Sequence, residues 1–152
     1  MPEPDAFEIA LGALRRKERT AGELRTWLER RGYGDVEVEA VVMRLAEAGE
    51  LDDERFARRY ADDKRELSGW GSERIRDALL ARQVDGSTVE AVLAVDSHAD
   101  QLERARQVLA RRGRPLGDNA ERQRALAYLA RRGYDYEIAY EAVRQASSAR
   151  AA

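Results

Sequence analysis

Few residues in this chain are of types that perform covalent chemistry. Its 152 residues include no cysteine and one histidine. That removes thiolate nucleophiles, thiolate metal sites, disulfides and any site needing two imidazoles. His98 follows Ser97, and a nucleophilic pair would need the two side chains face to face. Neighbours on a helix point about 100° apart, so Ser97 reads as a helix cap and His98 as first-turn surface. Asp52-Asp53 and Asp62-Asp63 are the best candidates for a hard cation, which needs several convergent oxygens. Asp52-Asp53-Glu54 opens a helix, where carboxylates suit the positive end of the dipole. Asp62-Asp63 stands among Arg58, Arg59, Lys64 and Arg65, which makes solvated ion pairs the simpler account. No G-x-x-x-x-G-K-[ST] loop is present, and Gly69-Trp70-Gly71 lacks the third glycine and the preceding strand of a dinucleotide fingerprint. No catalytic residue, metal or cofactor is expected.

What the chain has in quantity is guanidinium. Only Lys17 and Lys64 are lysines, so 25 of the 27 basic residues are arginine, set against 29 acidic ones. The formal charge of −2 hides an uneven distribution. Residues 1–51 and 52–98 each carry −3, and residues 99–152 carry +4. Arginine's planar fork suits carboxylate and phosphate acceptors. By helical spacing, Arg58, Arg59, Lys64 and Arg65 lie off the face that holds Phe56 and Tyr60. Arg74 and Arg76 flank Ile75. Arg104 and Arg111 are seven apart, as are Arg124 and Arg131, so each pair shares a helix face. Trp70 reads either as an exposed anchor of the kind that dominates interfaces, or as a plug between packed units. Trp27 belongs to a regular apolar row and reads as core. The expected partner-binding set is Arg58, Arg59, Lys64, Arg65, Trp70, Arg74, Arg76, Arg111, Arg124 and Arg131. Taken singly, each arginine reads as solvated surface, and the binding reading rests on the cluster.

The elements that must position these residues are helical. No long alternating β-branched run is present, and Asp85-Gly86 lies between helical segments. Thr20-Ala21-Gly22-Glu23, Ser87-Thr88-Val89-Glu90 and Asp118-Asn119-Ala120-Glu121 read as capping boxes. Asp35, Asp52, Ser72 and Asp135 are further N-cap candidates. Gly32, Gly49, Gly113 and Gly133 suit the left-handed position after a helix. Nine helices are predicted, over about 5–17, 21–31, 36–48, 53–66, 72–82, 88–95, 98–112, 119–132 and 136–147, with residues 147–152 frayed. No apolar run approaches the ~20 residues of a membrane span. The start, Met1-Pro2-Glu3-Pro4-Asp5, lacks the form of a signal peptide, so the expected location is the cytoplasm.

The nine helices repeat in threes. Leu24-Arg25-Thr26-Trp27-Leu28, Ile75-Arg76-Asp77-Ala78-Leu79 and Ala125-Leu126-Ala127-Tyr128-Leu129 are spaced by 51 and 50 residues. Fourteen residues after each start come Val38, Val89 and Ala139. The joints before them are Arg31-Gly32-Tyr33, Arg82-Gln83-Val84 and Arg132-Gly133-Tyr134. The fold expected is all-α, with three tandem three-helix repeats over 1–51, 52–97 and 98–152. A unit this small buries little surface alone, so stacking is expected to bury apolar faces between repeats and give an elongated, curved body.

The middle repeat carries the most specific stretch: Asp52-Asp53, Phe56-Ala57 with Tyr60, and Gly69 and Gly71 before Arg74-Ile75. Together with Thr20-x-x-Glu23-Leu24 and Arg31-Gly32-Tyr33, it resembles the RecX family, bacterial regulators of the recombinase RecA. The resemblance spans about residues 8–145, although the middle joint, Arg82-Gln83-Val84, lacks the family's glycine. It implies no catalytic activity and a monomer that binds the RecA filament on single-stranded DNA. It also implies inhibition of filament growth, ATP hydrolysis and strand exchange, with weak binding to single- or double-stranded DNA. The competing reading is a helix-turn-helix protein acting on duplex DNA. Against it, two of the three repeats are net negative, whereas duplex binding starts from a basic footprint.

Overall fold

Helices begin here where a side chain can take up free amides. The computed structural model describes residues 4–151. Its helices are α1 (Ala6–Arg16), α2 (Ala21–Arg30), α3 (Asp35–Glu47), α4 (Asp53–Ser68), α5 (Ser72–Ala81), α6 (Gly86–Leu93), α7 (His98–Arg112), α8 (Asn119–Arg131) and α9 (Tyr136–Ala151), with no strand among the described residues. Thr20 with Glu23 and Asp118 with Glu121 form complete capping boxes. Asp52 and Ser97 accept the amides of Arg55 and Asp100 at the starts of α4 and α7, and Asp135 accepts that of Ile138. None of these helices is long and apolar enough to cross a membrane.

Several expected boundaries move. Ser87-Thr88-Val89-Glu90 is not a capping box, because the carboxylate of Asp85 takes the Ser87 amide first and α6 starts at Gly86. Gly34, in place of Asp35, precedes α3, and Asp35 falls in the first turn, where the helix dipole favours a carboxylate. Gly71, in place of Ser72, precedes α5, and the Ser72 hydroxyl donates to Asp96 at 3.3 Å. Helix α9 continues to Ala151, past its expected end at 147. Ala152 and the first three residues of the Met1–Asp5 segment lie outside the described residues.

Each triplet closes around its own core. Leu24, Leu28 and Leu45 are fully buried in the first, Ile75, Leu79 and Val89 in the second, and Ala125 and Leu129 in the third with Tyr134 and Ile138 beside them. Trp27 only borders the first core, with the guanidinium of Arg31 4.1 Å above its ring. The three apolar clusters do not merge. This corrects the expected apolar stacking: the repeats are joined by hydrogen bonds and ion pairs. The accessible surface of 9279 Å² exceeds the roughly 7,800 Å² of a compact monomer of this mass, as units strung in a row require.

Both joints use the same contact. The carbonyl end of α5 meets the amino end of α2, and the carbonyl end of α8 meets the amino end of α5. At the first joint the Arg82 carbonyl accepts from the buried Thr20 hydroxyl at 2.6 Å, and the Arg82 guanidinium clamps Glu23 at 2.8 and 3.0 Å. Asp53 accepts the Ala21 amide at 2.9 Å. At the second joint Gly71 and Glu73 donate their amides to the Arg132 and Gly133 carbonyls at 2.8 and 2.9 Å. The approach is too close for side chains: a Cβ on Gly133 would lie 2.4 Å from the Arg74 Cβ, and one on Gly71 2.5 Å from the Gly133 carbonyl. The middle repeat lacks the glycine of the other joints, yet Gln83 adopts the same left-handed backbone, with φ 61° against 93° and 98° at Gly32 and Gly133.

Electrostatics at the first joint oppose one another. Burial is the largest single influence and acts to raise the Glu23 carboxyl, but hydrogen bonds from Arg82 and Thr20 and the Arg82 charge together hold the group below the usual carboxylate range. Burial pushes Asp53 up. A lowered carboxylate stabilises the fold above its unfolded pKa and loses that contribution as pH falls, whereas a raised one costs stability at neutral pH and regains it on acidification. Titration of thermal midpoints between about pH 6 and pH 3 should therefore show Glu23→Gln losing less stability on acidification than the parent. Glycine substitution tests the second joint. Gly32→Ala meets open space and should cost about 1 kcal/mol from its left-handed backbone alone. Gly133→Ala adds the clash with Arg74 and should cost at least about 3 kcal/mol in urea unfolding.

Candidate partner-binding cleft between the second and third repeats

The second joint is built on one carboxylate. Asp96, in the link between α6 and α7, keeps 4% of its side chain exposed. It accepts two hydrogen bonds from Arg104, at 2.7 and 3.2 Å, and faces Arg65 Nε at 3.5 Å. Arg104 also donates from Nε to the Trp70 carbonyl at 3.0 Å, and the Tyr134 hydroxyl donates to the Gly69 carbonyl at 2.7 Å. Burial is the largest single influence and acts to lower the Arg104 pKa, but hydrogen bonding and charge interactions with Asp96 and Tyr134 together raise it and hold the cation. Burial pushes the Tyr134 phenol up, which keeps it a hydrogen-bond donor. Two guanidiniums thus share one carboxylate, and Nε and Nη2 of Arg65 are buried with no hydrogen-bond partner.

Above this junction opens a cleft of about 630 Å³, lined by Arg74, Arg111, Arg131 and Arg132 with Leu67, Trp70, Val108 and Tyr128. No acidic side chain lines it. Arg74 lies 4.1 Å over the Trp70 ring and reaches the Arg131 carbonyl at 3.4 Å, while Arg132 hydrogen-bonds the Ser68 carbonyl. Gly69 lets α7 approach the end of α4, since a Cβ there would lie 2.7 Å from a Val108 methyl. At Gly69, Val108 and Arg111 the cleft joins a second one of about 470 Å³ between α4 and α7, which adds Asp62, Glu66, Asp100 and Glu103.

The expected binding residues divide accordingly. Arg74, Arg111, Arg131 and Trp70 come together at the cleft. Trp70 neither stands free nor plugs the gap between repeats. Its half-buried ring packs on the second core, edge-on to Tyr60, with Lys64 4.7 Å above it, and only its carbonyl bonds the third repeat. Arg65 is buried in the Asp96 cluster and is no surface donor. Arg76 is held within its own repeat by Glu90 at 2.6 and 3.3 Å, as Arg25 is by Glu39 in the first. Arg58 pairs with Glu54 at 2.5 Å and Arg59 with Glu18, both in solvent. Arg124 lines a separate groove with Arg112, Arg114 and Tyr128. Arg132, Tyr128 and Asp96 were not legible as cleft residues. Arg132 reads as a helix end, and Asp96 precedes a cap with nothing local to mark its two distant partners. The acidic pairs considered for a cation serve as caps and ion pairs: Asp52 caps α4, Asp53 bonds Ala21, and Asp62 faces Arg65.

Comparison with known proteins places this architecture. Residues 6–45, 52–93 and 99–143 match the models of the first, second and third three-helix domains of RecX. The regulatory protein RecX of Stenotrophomonas maltophilia is 38% identical over 145 residues, covering 93% of this chain and 87% of the relative. That of Mycolicibacterium smegmatis is 32% identical over 148 residues, covering 93% and 79%. The crystal structure of RecX from Lactobacillus salivarius superposes with a TM-score of 0.80 at 17% identity, covering 91% of this chain and 92% of that one.

Removing the shared carboxylate should expose how much the junction depends on it. Asp96→Asn leaves buried Arg104 without a counter-charge and Arg65 with only the exposed Asp62, and should cost about 3–5 kcal/mol in urea unfolding. Glu90→Gln, which breaks only the solvent-exposed pair with Arg76, should move the midpoint far less.

Proposed function

The chain belongs to the RecX family, and from that premise we propose that it is a non-catalytic cytoplasmic regulator that docks on the RecA filament formed on single-stranded DNA. Docking restrains filament growth, ATP hydrolysis and strand exchange. The observation that carries this reading is the inter-repeat cleft, where four guanidiniums converge with two aromatic rings and no lining carboxylate. Arginine and aromatic side chains are the residues that dominate interface energies. A row of three units joined at polar seams suits a surface that must lie along a polymer.

Duplex DNA is the poorer partner. A helix-turn-helix module would insert its third helix into the major groove. Here the third helices expose Glu37, Glu39 and Glu47 on α3, Glu90 on α6 and Glu137 on α9, which phosphates repel.

Titration into preformed RecA filaments, following ATP turnover, tests the reading. The parent protein should suppress turnover. The triple variant Arg74→Ala, Arg111→Ala, Arg131→Ala should need at least about tenfold more protein for the same suppression, as expected for losing contacts worth over ~1.4 kcal/mol together. The double variant Arg58→Ala, Arg76→Ala should stay near the parent. Unchanged suppression by a folded triple variant would remove the cleft from the interface, and no suppression by the parent would overturn the reading.

A further inference from the structure

We infer that the groove along α7 takes an extended polypeptide segment of block charge, lysine- or arginine-rich at one end and aspartate- or glutamate-rich at the other. The inference rests on reading the cleft as a partner-binding surface, and it assigns that surface to protein rather than nucleic acid. Asp100, Glu103, Gln107 and Arg111 lie along one face of α7 and line a single groove. From Asp100 to Arg111 the helix rises about 16 Å, enough for about five residues of extended chain. Opposite the first half, α4 contributes Asp62 and Glu66. Where α4 stops at Gly69, Arg74 and Arg131 take over. Arg65 and Arg104 also line the acidic half but turn inward to Asp96, so the outward-facing charge of the wall changes sign once, from acidic to basic, at Gly69, Val108 and Arg111.

Helix dipoles account for part of this sorting, Asp100 in the first turn of α7 and Arg111 and Arg131 in the last turns of α7 and α8, but not for Glu66 and Arg74. They favour anions at a helix start and cations at its end. Glu66 lies in the last turn of α4 and Arg74 in the first turn of α5. Internal pairing does not absorb it either: Glu66 and Asp100 at one end, and Arg111 and Arg131 at the other, have no ion-pair partner among the described residues. A phosphodiester strand is negative throughout and would cross Glu66, Asp100 and Glu103. A polypeptide alone can present ammonium or guanidinium groups to the acidic half and carboxylates to the basic half. Leu67, 81% exposed at the rim of the basic half, supplies an apolar contact midway, so the segment carries an apolar residue between its charged blocks.

Fluorescence anisotropy with the full chain tests this without RecA. One labelled peptide carries a block of glutamates, a leucine and a block of lysines. A second has the same composition with the charges alternated, and a third probe is oligothymidylate. The block peptide should bind at least about tenfold more tightly than the alternated one, a difference of ~1.4 kcal/mol, and should release as salt is raised. Arg111→Glu and Glu66→Lys should each weaken it by a similar factor, with circular dichroism unchanged. Equal binding of the two peptides would overturn the inference. So would oligothymidylate binding that Glu66→Lys strengthens and Arg111→Glu abolishes, which would give the groove to nucleic acid. Concentration-dependent self-association lost in Arg111→Glu would instead give it to a second copy of the chain. The filament assay separates the two readings: cleft-dependent suppression without block-peptide binding sinks this inference alone, and peptide binding without suppression sinks only the regulatory reading.

Discussion

A helix ends with carbonyls that have no partner inside it and begins with amides in the same position. In this protein the two sets are satisfied across repeat boundaries, amide to carbonyl at the second joint and through the Thr20 hydroxyl and the Asp53 carboxylate at the first. The carbonyls of Arg82 and Arg132, at the ends of the second helices of repeats two and three, are met by donors at the start of the second helix one repeat earlier. The contact joins opposite ends of two helix dipoles and is directional. It orders the units in a row without a shared apolar core, so each unit can close on its own leucines and valines while the chain as a whole stays extended.

Polar joints leave clefts that apolar stacking would have filled. Where two independent cores lean together only at a helix end, the surface on either side stays open and keeps its charges. The second cleft is held in shape by groups that solvent does not reach: Asp96 between Arg65 and Arg104, and Tyr134 against Gly69. The arginines that face outward from it stand on a frame of other arginines that face inward. Residue type alone does not separate these roles, since Arg65 and Arg111 are chemically the same and differ only in what lies opposite them.

That difference marks how far the sequence could be read. Helix number, the threefold period and the capping boxes at Thr20 and Asp118 are local patterns, set within a few residues, and they are found as expected. The failed capping box at Ser87 is local, taken over by Asp85 two residues earlier, but the misses that bear on the cleft come from distant contacts. Ser72 is a good cap by composition, but its place is taken because Gly133, sixty residues away, leaves room only for Gly71 at the helix start. Asp96 has nothing local to mark it, because its partners lie on α4 and α7. The arginine cluster was visible as a cluster. Its division into buried Arg65, self-paired Arg76 and Arg58, and cleft-facing Arg74, Arg111 and Arg131 depends on contacts between repeats that no spacing rule contains. Gln83 shows the converse. Its joint lacks the glycine of the other two, yet tertiary contacts with Gly22 and Thr26 accompany the left-handed backbone in a residue that does not favour it.

The two joints also provide an internal comparison. Both are built from the same end-to-end helix contact, so whatever that contact requires should appear at each. Beside the first joint a smaller cleft of about 310 Å³ is lined by Arg15, Arg19, Arg55 and Arg59 intermixed with Glu18, Glu50 and Asp52, and Arg59 is spent on Glu18. Its charges neutralise one another in place. Beside the second joint the charges are sorted, acids toward the start of α7 and arginines toward its end, and several on each side lack partners within the molecule. Although Asp100 and Arg111 follow the dipole of α7, the shared architecture tolerates either arrangement, so the joint does not impose the sorting. Its cost, unpaired like charges held near one another, is one that a structural seam has no reason to carry and that a charged partner laid along the groove would relieve.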